Sequence, residues 1–144
     1  MTTNHLDLEP LLLARIQAKV PEALDVLSAA DLPAVGEQAL RTPAVHVYYL
    51  GDSFDSSAVR GVDLEVEQTW GVVIVVRHLR GAAAQRDQAG EMMTDVIGAL
   101  QGWEPSPRHG RLQRATAPAP LYGEHGILFL PIYFTCRVLT TGAV

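Results

Sequence analysis

The stretch from Val62 to Leu79 constrains the fold most, because apolar side chains recur at every second position along it. One face carries Leu64, Val66, Trp70, Val72, Ile74 and Val76, with Gln68 as the exception. This period of two predicts a β-strand. The opposite face is polar at first, with Glu65 and Glu67, and apolar later, with Val73 and Val75. The strand therefore runs from the margin of a sheet into a covered interior. A helix or another subunit could supply the cover.

A first helix is indicated near the start of the chain. Asp7 can cap it, Pro10 is tolerated in its first turn and Pro21 stops it. Its apolar side chains recur at helical spacing at Leu8, Leu12, Ile16 and Val20. Two short elements are predicted next, a strand over Ala23 to Leu27 and a helix over Asp31 to Gln38.

Two more elements lie before the long strand. Val45, Val47 and Tyr49 alternate with Ala44, His46 and Tyr48, which predicts a strand over Ala44 to Leu50. The Ser-, Asp- and Gly-rich stretch Gly51 to Gly61 is typical of a surface loop between strands.

The second half of the chain opens with an amphipathic pattern from Ala82 to Leu100, which predicts the principal helix, with Gly102 as its stop. Arg111 to Thr116 predicts a strand with Leu112 pointing inward, and Ala117 to Pro120 a rigid, extended connector. A final strand is predicted from Gly126 to Thr140. Every residue on one of its faces is apolar: Leu128, Leu130, Ile132, Phe134, Cys136 and Val138. On its other face Pro131 marks an edge or a bulge, because proline cannot donate to a ladder.

This order of elements predicts an α+β fold, a single-layer mixed or largely antiparallel β-sheet packed against helices. Residues 1–144 form one domain in this interpretation. The hydrophobic fraction of 48% and the charged fraction of 19% are those of a chain that can bury a core.

The charge balance narrows the class of partner. Eleven basic and sixteen acidic side chains give a net charge of −5, which argues against stable binding to nucleic acid or to an anionic membrane. The single cysteine, Cys136, cannot form an intramolecular disulfide and fits a reducing compartment. No signal sequence opens the chain, so we expect a protein made in the cytoplasm.

The titratable residues do not form a recognisable catalytic or metal site. The five histidines lack the spacing of zinc ligands, and Cys136 has no thiol partner and lies among apolar residues. His46 and His78 are expected to pair or to face an interface. A turn at Arg80-Gly81 superficially resembles the pyrophosphate loop of acetyltransferases, but His78 stands where that loop needs Gln or Arg, and Ala83 is a weak second match. We therefore expect no enzyme, no cofactor and no metal.

Several segments together resemble the tail terminator, or tail-completion, proteins of long-tailed bacteriophages and prophages. They are the strand opening Thr42-Pro43-Ala44-Val45-His46-Val47, the run Gln68 to Arg77 that turns at Leu79-Arg80-Gly81 into the helix, the Leu121-Tyr122 segment, and the apolar last strand. The resemblance extends from about Ala23 onward. It rests on the order and length of the elements.

The resemblance implies a hexameric ring that caps the tail tube, stops its polymerisation and offers a surface to the head–tail connector or neck protein. The protein would then lie in the virion, at the tail–neck junction, after assembly in the host cytoplasm. Another head–tail joining or minor tail component is the alternative, and a small acyltransferase-like or ligand-binding domain is a third possibility.

A ring needs subunit contacts, and the chain has apolar residues that one small core does not obviously require. The candidate subunit interface comprises Tyr48, Phe54, Trp70, Val73, Val75, Arg77, Phe129 and Tyr133. The alternative is that helices cover these residues. Asp63, Glu65 and Glu67 share one strand face and are candidates for an acidic surface toward the lumen or solvent. The loops Ser53 to Arg60 and Pro105 to Arg111 are candidate docking elements.

Overall fold

The computed structural model describes residues 4–28, 41–55, 59–77 and 82–143. Within them lie two α-helices, α1 (Leu8–Lys19) and α2 (Ala82–Leu100). The strands are β1 (Asp25–Ser28), β2 (Ala44–Ser53), β3 (Val59–Arg60), β4 (Asp63–Arg77), β5 (Gln113–Ala115), β6 (Leu121–Tyr122) and β7 (Ile127–Thr141). The predicted helix over Asp31 to Gln38 lies outside the described residues.

The strands form one mixed sheet in the order β1-β2-β4-β7-β5, with β3 also pairing with β4 and β6 with β7. The β1–β2 pair is parallel and the other pairs are antiparallel. Together with the two packed helices, this sheet confirms the predicted α+β fold. None of the described helices is long and apolar enough to cross a membrane.

The centre of the sheet is the β4–β7 pair. It runs from Asp63 opposite Thr141 to Arg77 opposite Ile127 without a shift of register. By contrast, the β2–β4 pair contains a bulge between Tyr49 and Asp52, where Gly51 has φ +107°. That backbone conformation favours glycine. The residue pattern predicts a loop from Gly51 onward, whereas β2 continues through the bulge to Ser53.

Both helices pack on one face of the sheet. Leu8, Leu12 and Ile16 of α1 and the apolar stripe of α2 cover the residues of β4 and β7 that share a face with Trp70. Gln68 is tolerated on this apolar face because both polar atoms of its amide are hydrogen-bonded. Its Oε1 accepts from Trp70 Nε1 at 3.0 Å, and its Nε2 donates to the His5 carbonyl at 2.8 Å. A buried polar group is tolerated when such bonds are made.

Asp7 precedes α1 as predicted, but its side chain makes no capping hydrogen bond. Its carboxylate instead accepts from Arg108 Nη1 at 2.6 Å and contacts His109 Nε2 at 3.0 Å. His109 is buried, and its Nδ1 lies 2.6 Å from Ser106 Oγ. The carboxylate therefore ties the loop after α2 to the start of α1. Asp7 therefore stands at the predicted N-cap position, but its carboxylate bonds to these two partners and makes no hydrogen bond to the backbone amides of α1.

Candidate assembly surface

The face of the sheet opposite the helices is ordered by the strand registers. Residues of β2, β4 and β7 lie side by side in three successive rows: Ala44–Val75–Phe129, His46–Val73–Pro131 and Tyr48–Gly71–Tyr133. In the described part of the chain neither α1 nor α2 lies on this face, which we call the second face. Its apolar rows are therefore a candidate binding surface.

Tyr48 lies flat across Gly71 in the third row. A Cβ at Gly71 would come within 2.5 Å of Tyr48 Cζ, so only glycine leaves room for the ring. The Tyr48 hydroxyl donates to the Tyr133 hydroxyl at 3.3 Å, and the two rings meet edge to face. Burial, together with this contact, raises the pKa of Tyr48 above its ordinary value. Tyr48 is therefore neutral at pH 7, and its hydrogen bond to Tyr133 closes the apolar rows at this end.

A wall formed by Pro118 and Ala119 borders the second face along the outer edge of β7. β5 and β6 pair with β7 on either side of Pro131, and the chain between them, from Thr116 to Pro120, leaves the ladder. The prediction that Pro131 marks an edge is thus confirmed on this side of β7.

The wall and the second face enclose a groove of about 420 Å³. We call this the groove. Its lining residues are His46, Tyr48, Val73, Val75, Pro118, Ala119, Leu121, Phe129, Pro131 and Tyr133.

His46 lies in the floor of the groove. It is 2% exposed, and neither ring nitrogen has a hydrogen-bond partner among the described residues. Burial lowers the pKa of His46, against a smaller opposing effect of the Asp25 charge. The ring is therefore neutral near pH 7 and carries one unused donor and one unused acceptor.

The far end of the second face is polar and charged. Asp63 accepts from the Thr141 hydroxyl at 2.9 Å, and Glu65 lies 3.4 Å from Arg137 in an exposed pair. Phe54 lies beside these groups and is 59% exposed. Glu67 lines the same depression as Glu65, and Asp63 lies two positions before Glu65 on the same face of β4.

The structure divides the candidate interface residues into separate groups. Tyr48, Val73, Val75, Phe129 and Tyr133 all line the groove, although Val75 itself is nearly buried. Arg77 ends β4 beyond the groove, and Phe54 lies at the opposite end of the face.

The assignment of Trp70 to the interface was wrong. Trp70 is 0% exposed in the core beneath the helices, where its ring packs against Tyr49. The alternation along β4 already placed Trp70 on the same face as Val72 and Ile74. The sequence does not show which of the two faces the helices cover.

Two parts of the groove were not singled out as a binding site from the sequence. His46 was expected to pair or to face an interface, and the β1–β2 and β2–β4 registers together place it between Leu27 and Val73. The wall formed by Pro118 and Ala119 was predicted as an extended connector but not as part of a site. Its position depends on where β5 and β6 pair with β7.

Cys136 lies in the core, where its Sγ contacts the Gly110 carbonyl at 3.3 Å. Burial raises the pKa of its thiol to about 11. The thiolate is the reactive form, so this cysteine is chemically quiet at neutral pH. His78, Arg80 and Gly81, the residues compared above with the acetyltransferase loop, lie outside the described residues.

The structure is thus an α+β fold with a single sheet, and a groove lies on the sheet face that the described helices do not cover. The sequence model of the family described as phage tail terminator protein matches residues 1–142. The chain therefore belongs to the phage tail terminator protein family, and its role is that of a phage tail structural protein.

A solved structure supports the fold. A chain from the virion of a native gene transfer agent particle superposes with a TM-score of 0.50 at 14% sequence identity. The match covers 94% of this chain and 89% of that one, so the similarity extends over nearly the whole domain. No curated protein matches the sequence.

Proposed function

We propose that this protein forms a ring of identical subunits, most simply a hexamer, that caps the tail tube and stops its polymerisation. The other side of the ring would provide the surface for head or neck attachment. Family membership supports the tail role, and one observation carries the contact surface. In the described part of the chain no helix covers the apolar rows of the second face, and Val73, Phe129 and Pro131 are only partly buried there. Such a patch commonly marks an interface.

The groove is the proposed subunit contact. Val73, Phe129 and Pro131 supply apolar area, while Tyr48 and Tyr133 supply directional hydroxyl groups. Apolar area with a few fixed polar groups is the usual composition of a specific protein interface. The role is structural, and we assign no catalytic group, metal or cofactor to it.

Asp63, Glu65 and Glu67 are proposed to face the lumen of the ring or solvent. A lumen through which DNA passes must not hold it, and carboxylates repel the phosphate backbone. Replacing all three with lysine should leave the number of subunits in the ring unchanged. It should also create measurable binding to duplex DNA at low salt. If DNA binding stays undetectable, the three residues do not line the DNA path.

The function is tested by tail length. Particles made with the gene deleted should carry tubes of widely varying length in electron micrographs, and the wild-type gene should restore one length. A Val73→Asp variant should behave like the deletion, because a charge in the groove floor opposes burial. Glu91→Gln, on the exposed side of α2, is the matched control and should restore uniform tails.

Two results would contradict the proposal. Uniform tails without the protein would show that it does not stop the tube. Uniform tails that fail to join heads would point to the alternative, a head–tail joining component with the same fold.

A further inference from the structure

Two of the groups into which the predicted interface residues divide lie too far apart to meet within one subunit. Tyr48, Val73, Phe129 and Tyr133 line the groove, whereas Phe54 lies six positions after Tyr48 along the chain, roughly 20 Å away at strand spacing. A head-to-tail ring requires two different patches of this kind on each subunit. We propose that Phe54 of one subunit occupies the groove of the next, a statement that rests on the proposed ring.

Phe54 is poorly placed in its own subunit. Its ring is 59% exposed and shares a depression with Glu65, Glu67 and Arg137. Contact with hydrated charges contributes little free energy to a benzyl group, whereas its burial in an apolar site is favourable. Aromatic side chains that are exposed in the free protein are common anchors of interfaces.

The chemistry of the groove matches the loop that carries Phe54. Of the described residues that line the groove, three have polar side-chain groups: His46, Tyr48 and Tyr133. All three can donate a hydrogen bond, and none of the described lining residues is a carboxylate. Asp55 follows Phe54 directly, and a carboxylate can accept several hydrogen bonds at once, so an incoming loop brings both an aromatic ring and an acceptor. The aromatic ring of the loop therefore matches the apolar residues of the groove, and the acceptor of the loop matches the hydrogen-bond donors that line it.

His46 provides an independent reason for an incoming polar group. A histidine that is only 2% exposed normally has a partner for at least one ring nitrogen, and in the described structure it has none. The ring lines the groove that the neighbouring loop is proposed to enter. An acceptor from that loop would satisfy a group that the isolated subunit leaves unsatisfied.

Disulfide cross-linking tests the contact directly. The buried Cys136 is the sole native cysteine, so engineered thiols report with little background. We expect Phe54→Cys mixed with Val73→Cys to give covalent dimers on mild oxidation, and neither variant alone to do so. The double variant should give a ladder that ends at the size of the ring. Dimers from Val73→Cys alone would show groove meeting groove and would overturn the inference.

Assembly strength gives a second, independent readout. Phe54→Ala should raise the midpoint concentration for assembly at least tenfold, measured by sedimentation velocity. Leu24→Ala is the matched control, because Leu24 is 56% exposed and lies at the turn before β1. It should move the midpoint less than twofold. Equal effects from the two variants would overturn the inference.

The inference and the ring can fail separately. A wild-type ring in which Phe54→Ala assembles normally and no ladder forms would remove the Phe54 contact and leave the ring intact. A double variant that stops at doubly linked dimers would retain the contact and remove the ring. A chain that stays monomeric even with tube protein present would remove both.

Discussion

Replacing His46 with leucine should stabilise the isolated subunit, although it removes a polar residue from a binding groove. The ring is 2% exposed and both of its nitrogens lack partners in the described structure. An unsatisfied buried polar group costs about 1–3 kcal/mol, and a similarly sized apolar group avoids that cost. We therefore expect the free energy of unfolding at pH 8 to rise by about 1–2 kcal/mol. For a chain of this length the melting temperature should rise by roughly 3–6 °C.

The stability gained by His46→Leu should also depend on pH. Burial lowers the pKa of His46 in the folded state, whereas an unfolded histidine titrates near its ordinary value of about 6.5. Below that pH the unfolded wild type binds a proton that the folded form resists. The wild type then loses up to about 1.4 kcal/mol per pH unit until the folded pKa is passed. The stability difference between His46→Leu and wild type should therefore widen between pH 7 and pH 5.5.

Urea unfolding at a concentration where light scattering gives one subunit's mass measures both effects. Gln101→Leu, an exposed polar-to-leucine change after α2, is the control and should alter stability by less than about 0.5 kcal/mol. A His46→Leu variant that is less stable than wild type, or a difference that stays constant with pH, would refute the reasoning. If the neighbouring loop bonds to His46, the variant should also assemble more weakly while being more stable.

Three other changes follow from described contacts. Gly71→Ala should lower the free energy of unfolding by about 1–3 kcal/mol, because the added Cβ would clash with the packed Tyr48 ring. Gly90→Ala, whose added Cβ has no atom within 4 Å, should raise it by about 0.5–1 kcal/mol. Cys136 should react with a thiol reagent at pH 7.5 only as fast as the protein unfolds, so rapid labelling of native protein would contradict its burial. Asp7→Asn should cost about 1 kcal/mol in urea unfolding, since it weakens two charge-assisted contacts in a partly exposed site, and an unchanged midpoint would show that they contribute nothing.

The sequence predicted the elements that depend on local pattern. Helix α2 spans Ala82–Leu100 as predicted, because its apolar stripe and Gly102, which has φ +77°, define both its face and its end. The long strands β4 and β7 were also found, since a period of two sustained over so many residues does not fit the 3.6-residue repeat of a helix.

The site was less accessible from the sequence because it depends on pairing between distant strands. The row that joins His46, Val73 and Pro131 follows from two registers, neither of which the residues specify alone. Trp70 was misplaced for a related reason: alternation separates two faces but does not say which one the helices cover. Asp7 failed as a cap because its partners, more than a hundred positions away, outcompete the nearby backbone amides.

The unbroken β4–β7 pair has a mechanical consequence. It spans fifteen residues on each strand, roughly 50 Å, and carries the groove toward one end and the acidic surface toward the other. Both ends thus belong to one twisted ribbon rather than to hinged parts. In a ring, the angle between successive subunits would be fixed by the pitch of this ribbon. A bulge introduced near Gly71 should therefore change the curvature of the ring, and with it the number of subunits that close it.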